Sequence, residues 1–395
     1  MSTHTLTARW VFPASSPPLE RGTVTVSDGK IAAVEARGTR TPDEDLGNVA
    51  IIPGLVNAHT HLDLSGARGL IPPTDPDHFT DWLRGVIAYR STRSPEQVQA
   101  DIRDGLAECL RAGTTLIGDI AAEGRSWDTL ADAKTRAVVF RELIGVSDER
   151  WRVTLFALTR WDREHTNTVT CRKAASPHAP YSVGRALIRS IPSNGWITTV
   201  HFAESPGEME LLERRTGPFR EFLESLGIWY PERIADVRWV LWRTRRTSHS
   251  LLAHCNYLPP ETVFGENQSV VYCPRTHAAF GHPPHPFREF LARGVRVCLG
   301  TDSLASNPDL DILAEARLVR AKYPDFPGDQ LLRMVTLAGA EALGWADECG
   351  SLEAGKSADV VAVSLPDRDA ADTHELLFSD HAGPRRTMFR GAWRG

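Results

Sequence analysis

PGLVNAHTHLDL, residues 53–64, closes an apolar run on two histidines, His59 and His61, one residue apart. In an extended strand the side chains at i and i+2 point to the same face, so both imidazoles can aim at one point. That placement suits a shared cation. Taken alone it fits equally well a pair of satisfied core or surface histidines, because H-x-H is a short pattern. The reading therefore turns on how the other apolar runs end.

Three of them end in the same kind of chemistry. GWITTVHFAES (195–205) carries His201 and Glu204, SHSLLAHCNYL (248–258) carries His254, and GVRVCLGTDSLAS (294–306) carries Asp302. From about 53 to 348, strand-like apolar runs alternate with amphipathic helical segments, the pattern of βα units around a parallel sheet. The strands are expected to end near His61, Asp119, Gly145, Pro177, His201, His254, Cys273 and Asp302. Eight such units fit a closed (β/α)8 barrel, an α/β fold in which every strand delivers its C-terminal end to one rim.

Helix signals agree with this division. Ser94 can cap, Pro95 fits the first turn and Gln97 completes a capping box, with Val98, Ile102, Leu106 and Leu110 along one face until Gly113. Asp329 is expected to open a second such helix over QLLRMVTLAGAEALG. The two ends of the chain read differently. GTVTVSDGKIAAVEARG (22–38) alternates and turns on Asp28-Gly29 as a β-hairpin, and GSLEAGKSADVV and RRTMFRGAWRG give further short strands. Residues 1–52 and 349–395 are thus expected to form one small β-sandwich, with the barrel over 53–348.

Composition narrows the partners. The 395 residues are 42% hydrophobic and 24% charged with a net charge of −5, and Lys and Arg are scattered. No one-sided positive field exists for nucleic acid or anionic lipid, and no run of about eighteen apolar residues appears. The N-terminal stretch reads as neither a signal nor a transit peptide, so the expected location is the cytoplasm. The six cysteines form no C-x-x-C pair and are expected to be buried thiols. The basic and aromatic run WVLWRTRRTSHS (239–250) reads as a solvated face, with Trp239 and Trp242 free to line a pocket or an interface.

PGLVNAHTHLDL, SPHAPYS, HFAES, LLAHCNYL, CPRTHAAFGH, LGTDSLASNPDLD and GSLEAGKSADVV, in this order, resemble the amidohydrolase superfamily, in its cytosine-deaminase-like, chlorohydrolase and nucleoside-deaminase branch. The resemblance covers nearly the whole chain. It implies that His59, His61, His201 and Asp302 hold one divalent metal, Zn²⁺ first and Fe²⁺ as the alternative. It also implies that Glu204, His254 and Asp302 act in catalysis, and that His178, Ser303, Arg275 and His277 contact substrate. A homodimer is implied as well. Imidazole and carboxylate ligands with one position left for water suit such ions. Some related hydrolases bridge two metals with a carboxylated lysine, which puts Lys173 in question. CRKAASPHAPYS runs past it into the His178 loop, so one metal is the expectation.

The implied activity is an aminohydrolase acting on a small heterocyclic amine, of the aminodeoxyfutalosine, guanine or S-adenosylhomocysteine deaminase type. Chlorohydrolysis or opening of a cyclic amide uses the same activated water, and a non-catalytic metal-binding relative is a third reading. Glu204 favours deamination, since an amine leaving group needs a proton and chloride does not. The zinc deaminases with a P-C-x-x-C signature are excluded, because no such motif occurs.

Overall fold

Gly54 is where one sheet hands the chain to another. A computed structural model of the protein describes residues 3–191, 195–381 and 383–394. In it Val49–Pro53 belongs to a six-stranded mixed sheet, and the next strand, β1 (Leu55–Thr60), belongs to an eight-stranded parallel one. A Cβ on Gly54 would collide with the Thr115 side chain, which packs directly against the chain here because residue 54 is glycine.

The parallel strands follow in chain order: β2 (Thr114–Ala121), β3 (Arg136–Leu143), β4 (Cys171–Pro177), β5 (Ile197–Phe202), β6 (His249–His254), β7 (Gln268–Tyr272) and β8 (Arg296–Leu299). The ring closes where Thr60 bridges Asp302, with the Asp302 N–H donating to the His59 carbonyl at 3.0 Å. Nearly every residue of β1, β2, β5 and β7 is buried, as expected of barrel strands covered on both faces. The strand ends lie within about three residues of those expected from the apolar runs.

The outer helices are set by their caps. Ser94 and Gln97 form the expected capping box at the start of Pro95–Arg111. Asp329 does not play the expected role. The helix there runs Gly328–Met334 with Pro327 at its cap, and a second helix, Leu337–Ala342, follows. The break has a cause: the Val335 carbonyl accepts from the Val56 N–H of β1 at 2.9 Å, so it is drawn out of the helical ladder. The basic run is also more than a solvated face. Arg243 is buried and donates to the Ile191 carbonyl at 2.7 Å, Trp239 lies over Arg185 and Arg189, and Trp242 is exposed on the same outer helix, Val237–Thr244.

Strands from both ends of the chain build two further sheets. One orders Lys30–Glu35, Thr23–Ser27, Thr3–Thr7 and Glu44–Asp45. The other orders Ala392–Trp393, Arg385–Phe389, Val360–Ser364, Val49–Pro53, Trp10–Val11 and Leu19–Glu20. Leu6, Val24 and Ile31 of the first share an apolar layer with Val11, Ile51, Val360 and Met388 of the second. A buried ion pair between Arg136 of β3 and Asp359 ties this layer to the bottom of the barrel. All six cysteines are buried and unpaired, and among the described residues no helix is long and apolar enough to cross a membrane.

Two features support the rim. A Cβ at Gly300 would come within 2.8 Å of His59 Cβ and 2.9 Å of its carbonyl oxygen. Gly300→Ala is therefore expected to lower stability by about 1–3 kcal/mol, read from the denaturant midpoint; an unchanged midpoint would show that the wall yields. Glu315, fully buried, accepts from the Arg275 N–H and from Asn307 Nδ2, and burial pushes its carboxyl from about 4.5 up to about 8. A carboxyl raised in the fold holds a proton that the unfolded chain has lost, so its stabilising contribution falls as pH rises toward 8. Asp119 and Glu208, each pushed to about 7 by burial, act in the same direction. The thermal midpoint should therefore decline between pH 7 and 8.5, and Glu315→Gln should flatten that decline. A midpoint that rises over this window would contradict the assignment.

Candidate metal centre

Alternation along β1 turns His59 and His61 to the interior while the Thr60 hydroxyl between them donates to the Asp302 carbonyl at 3.0 Å. His201 ends β5 beside them. Its Nδ1 lies 2.9 Å from the His178 carbonyl, which can only accept, so the ring proton sits on Nδ1 and the Nε2 lone pair points inward. That Nε2 stands 3.1 Å from His61 Nε2. Two nitrogens on one zinc at about 2.0–2.1 Å are roughly 3 Å apart, so the separation is that of two ligands of one ion.

Asp302 completes the ring of donors. Its Oδ1 is 3.7 Å from His59 Nε2 and 3.5 Å from His61 Nε2, and its Oδ2 accepts from Ser306 at 3.2 Å. His59, His61 and His201 form one group with ligand atoms within 4.8 Å of each other, and His59, His254 and Asp302 form a second. Both ring nitrogens of His59 and Nε2 of His254 are buried without a hydrogen-bond partner. Buried polar atoms left unmatched are costly, and a cation is a partner suited to those ring nitrogens that carry a lone pair.

Electrostatics point the same way. Burial holds His61, His201 and His254 well below the ordinary imidazole value, so they are neutral and able to ligate at physiological pH. Burial alone would raise Asp302, but the surrounding imidazoles, His59 first, outweigh it and hold the group below the usual carboxylate range. Glu204 is the opposite case. Burial first, then the charges of Asp302 and Glu208, push it well above an ordinary glutamate. Its Oε1 lies 3.4 Å from His254 Nε2.

The backbone around these groups is unusual. Ala203, His254, Cys255 and Asp302 have φ of +52°, +70°, +57° and +58°. Left-handed conformations cost a non-glycine residue on the order of 1–3 kcal/mol and gather where function over-determines them. Here they are held by specific bonds. Glu208 accepts from the Ala203 and Glu204 N–H groups at 3.1 and 2.8 Å, Asn256 Nδ2 donates to the Glu204 carbonyl at 2.9 Å, and His285 Nε2 donates to the His254 carbonyl at 2.7 Å.

The structure thus brings together His59, His61, His201, His254, Asp302 and Glu204. His178 stands beside them, its ring centroid 4.8 Å from that of His201, with Nδ1 bonded to Ser182 at 2.7 Å. Burial lowers it to about 3. Ser303 is buried with a free Oγ, and His277 is buried with both ring nitrogens unpartnered. Arg275 departs from expectation: its guanidinium is spent on Asp309, at 2.5 and 3.0 Å, and is unavailable to a ligand. Lys173 donates to the Asp162 side chain and carbonyl, both at 2.5 Å, which removes it from a bridging role. Sequence reasoning missed Glu208, four residues after Glu204 and indistinguishable there from an ordinary first-turn helix acid.

Comparison with known proteins supplies the family. The chain is 29% identical over 385 residues to the 5-methylthioadenosine/S-adenosylhomocysteine deaminase of Moorella thermoacetica, covering 90% of this chain and 84% of that one. It is 27% identical over 363 residues to the aminodeoxyfutalosine deaminase of Nitratiruptor sp., covering 87% and 86%. Its fold superposes on Helicobacter pylori aminofutalosine deaminase in complex with methylthio-coformycin with a TM-score of 0.87, at 22% identity and with 99% and 100% of the two chains covered. The sequence profile of the amidohydrolase family matches residues 50–394, and the chain belongs to that family.

Proposed function

We propose that this chain is a metal-dependent aminohydrolase that releases ammonia from a heterocyclic amine, a purine-like base or a nucleoside derivative of the kind its curated relatives are named for. The observation that carries the reading is Glu204: a buried carboxyl with raised proton affinity at the edge of a ring of imidazoles and one carboxylate. A donor set of three imidazoles, His59, His61 and His201, with the Asp302 carboxylate favours a single Zn²⁺, with Fe²⁺ as the alternative. When bound, such an ion supplies the Lewis acidity that makes water nucleophilic near neutral pH.

The side chains divide the remaining work. Asp302 Oδ1 faces the histidines and Oδ2 accepts from Ser306, which fixes the carboxylate, so the group that would hold the metal could also accept from the attacking water and orient it. Water adds to the ring carbon that bears the amine, and Glu204 takes the proton that water loses. Glu204 passes that proton to the adjacent ring nitrogen. A second proton goes from the new hydroxyl to the amine, the C–N bond breaks, and ammonia leaves with the carbonyl product behind. His254 Nε2, 3.4 Å from Glu204, can stabilise negative charge as it develops. His178, Ser303 and His277 carry free or weakly committed polar atoms suited to hold the heterocycle. The six free thiols fit a reducing compartment, in keeping with a cytoplasmic enzyme.

Ammonia release should be detectable from a panel of aminopurines, aminopterins and aminotriazines, disappear on chelation and return on adding Zn²⁺. Glu204→Gln is expected to bind metal normally and to lose about 10²–10⁴-fold in kcat; wild-type rates in that variant would remove the proton-carrying role. His61→Ala and His201→Ala should lose both the metal and its stabilisation of the fold, seen as a thermal midpoint that no longer rises with added Zn²⁺.

A further inference from the structure

Ser306 has one hydroxyl proton and three oxygens around it. Its Oγ is 3.2 Å from Asp302 Oδ2, 3.3 Å from the Ser303 carbonyl and 3.0 Å from Thr276 Oγ1. The Ser303 carbonyl already accepts from the Ser306 and Asn307 N–H groups, at 3.1 and 3.0 Å, so it has the least need of the hydroxyl. Asp302 Oδ2 belongs to a carboxylate, which only accepts, and a charged acceptor holds a donor more strongly than a neutral one. The proton therefore goes to Asp302. That leaves Ser306 Oγ as the acceptor toward Thr276, and the Thr276 hydroxyl as the donor of that pair. Thr276, Ser306 and Asp302 are all buried, so water does not readily replace either hydroxyl.

Two segments distant in sequence are held at the spacing this relay needs. Thr276 lies in the short helix Pro274–Ala279 that follows β7, and Ser306 lies in the loop after β8. Glu315 fastens both. One of its oxygens accepts from the Arg275 N–H at 2.8 Å and the other from Asn307 Nδ2, so a neighbour of each hydroxyl residue is tied to the same carboxyl. Asn307 Nδ2 also donates to the carbonyl of Thr301, the residue before Asp302, at 2.7 Å. The contact between Thr276 and Ser306 is thus set by the fold rather than by two free rotors.

We infer that Thr276 is a positioning residue for the metal centre: its hydroxyl donates to Ser306, Ser306 donates to Asp302 Oδ2, and the carboxylate is held with Oδ1 turned to His59 and His61. Oδ1 lies 3.7 and 3.5 Å from the Nε2 atoms of those two rings. Thr276 acts only through Ser306. By accepting from Thr276, the Ser306 hydroxyl is fixed in one rotamer and polarised, which strengthens its own donation. Groups that hydrogen-bond a ligating carboxylate orient it, and they count in metal affinity although they never touch the ion. The inference rests on the reading of His59, His61, His201 and Asp302 as ligands of one ion, and not on the reaction.

The test uses the full chain, stripped of metal and titrated with Zn²⁺ against a competing chromophoric chelator, so no substrate is needed. Thr276→Val keeps the shape and removes the donor. It should weaken Zn²⁺ binding roughly tenfold, the lower end for groups that orient a ligand, and Thr276→Ser should keep wild-type affinity. In a Ser306→Ala background Thr276→Val should add nothing, because the route to Asp302 is already cut. A packing defect would instead persist in that background. Wild-type affinity in Thr276→Val, or a loss of equal size with the Ser306 hydroxyl absent, would overturn the inference while the metal centre stands. A wild type that takes up no Zn²⁺ would remove the centre and the inference with it. Where Thr276→Val does not fold, Thr276→Ala reads the same two comparisons.

Discussion

His61 Nε2 and His201 Nε2 face each other across 3.1 Å, and the rest of the site is arranged around that contact. The His201 proton is fixed on Nδ1 by the His178 carbonyl, so its inward nitrogen carries a lone pair. Burial keeps both rings neutral. Two such nitrogens are held together favourably only by something positive between them, a proton or a cation. With His59 and Asp302 on the remaining sides, the choice of a divalent ion follows from donor count and charge rather than from any one residue.

Holding that contact requires strands far apart in sequence to keep a common height. The ring closes through Thr60 and Asp302, and the side chain of Asn57 ties the layer below: it donates to the Thr301 hydroxyl at 2.7 Å and accepts from the Thr301 N–H at 3.1 Å. These bonds fix the last strand against the first, so Asp302 meets the histidines of β1 without depending on a flexible loop. The left-handed residues at Ala203, His254 and Asp302 turn the chain sharply at the rim. Each is over-determined by hydrogen bonds from neighbours, which is how a strained backbone persists in a stable fold.

The convergence of these side chains is legible in the sequence because strand alternation and the common rim of a parallel barrel convert sequence position into direction. His59, His61, His201, His254 and Asp302 each end an apolar run, and that property survives the fold unchanged. Arg275 departs from expectation because nothing local reveals its partner Asp309, which lies thirty-four residues away while Arg275 itself sits in the short helix Pro274–Ala279. The Asp329 helix was misread for a related reason: a strand amide, Val56, competes for a helical carbonyl, and only tertiary structure places it there. Arg243 was assigned to solvent on composition, whereas its charge is absorbed by a carbonyl at the end of another segment. The errors share one source, the distant partner of a charged or backbone group.

Glu204 and Glu208 show how hydrogen bonding separates the roles of two acids four residues apart. Both are buried, and burial raises the proton affinity of both. Glu208 receives two backbone N–H groups, one on each oxygen, which oppose that rise and commit the carboxylate to holding the turn after β5. Glu204 has no such donors on its oxygens among the described residues, only His254 at 3.4 Å. It also feels the charges of Asp302 and Glu208, which disfavour its ionised form. A group that must take and give a proton in one turnover needs this lack of commitment, while a group that must not move needs the opposite. Under the aminohydrolase reading the turn pairs a fixed acid, Glu208, with an exchangeable one, Glu204, and Glu208 would reach the chemistry only through where it holds Glu204.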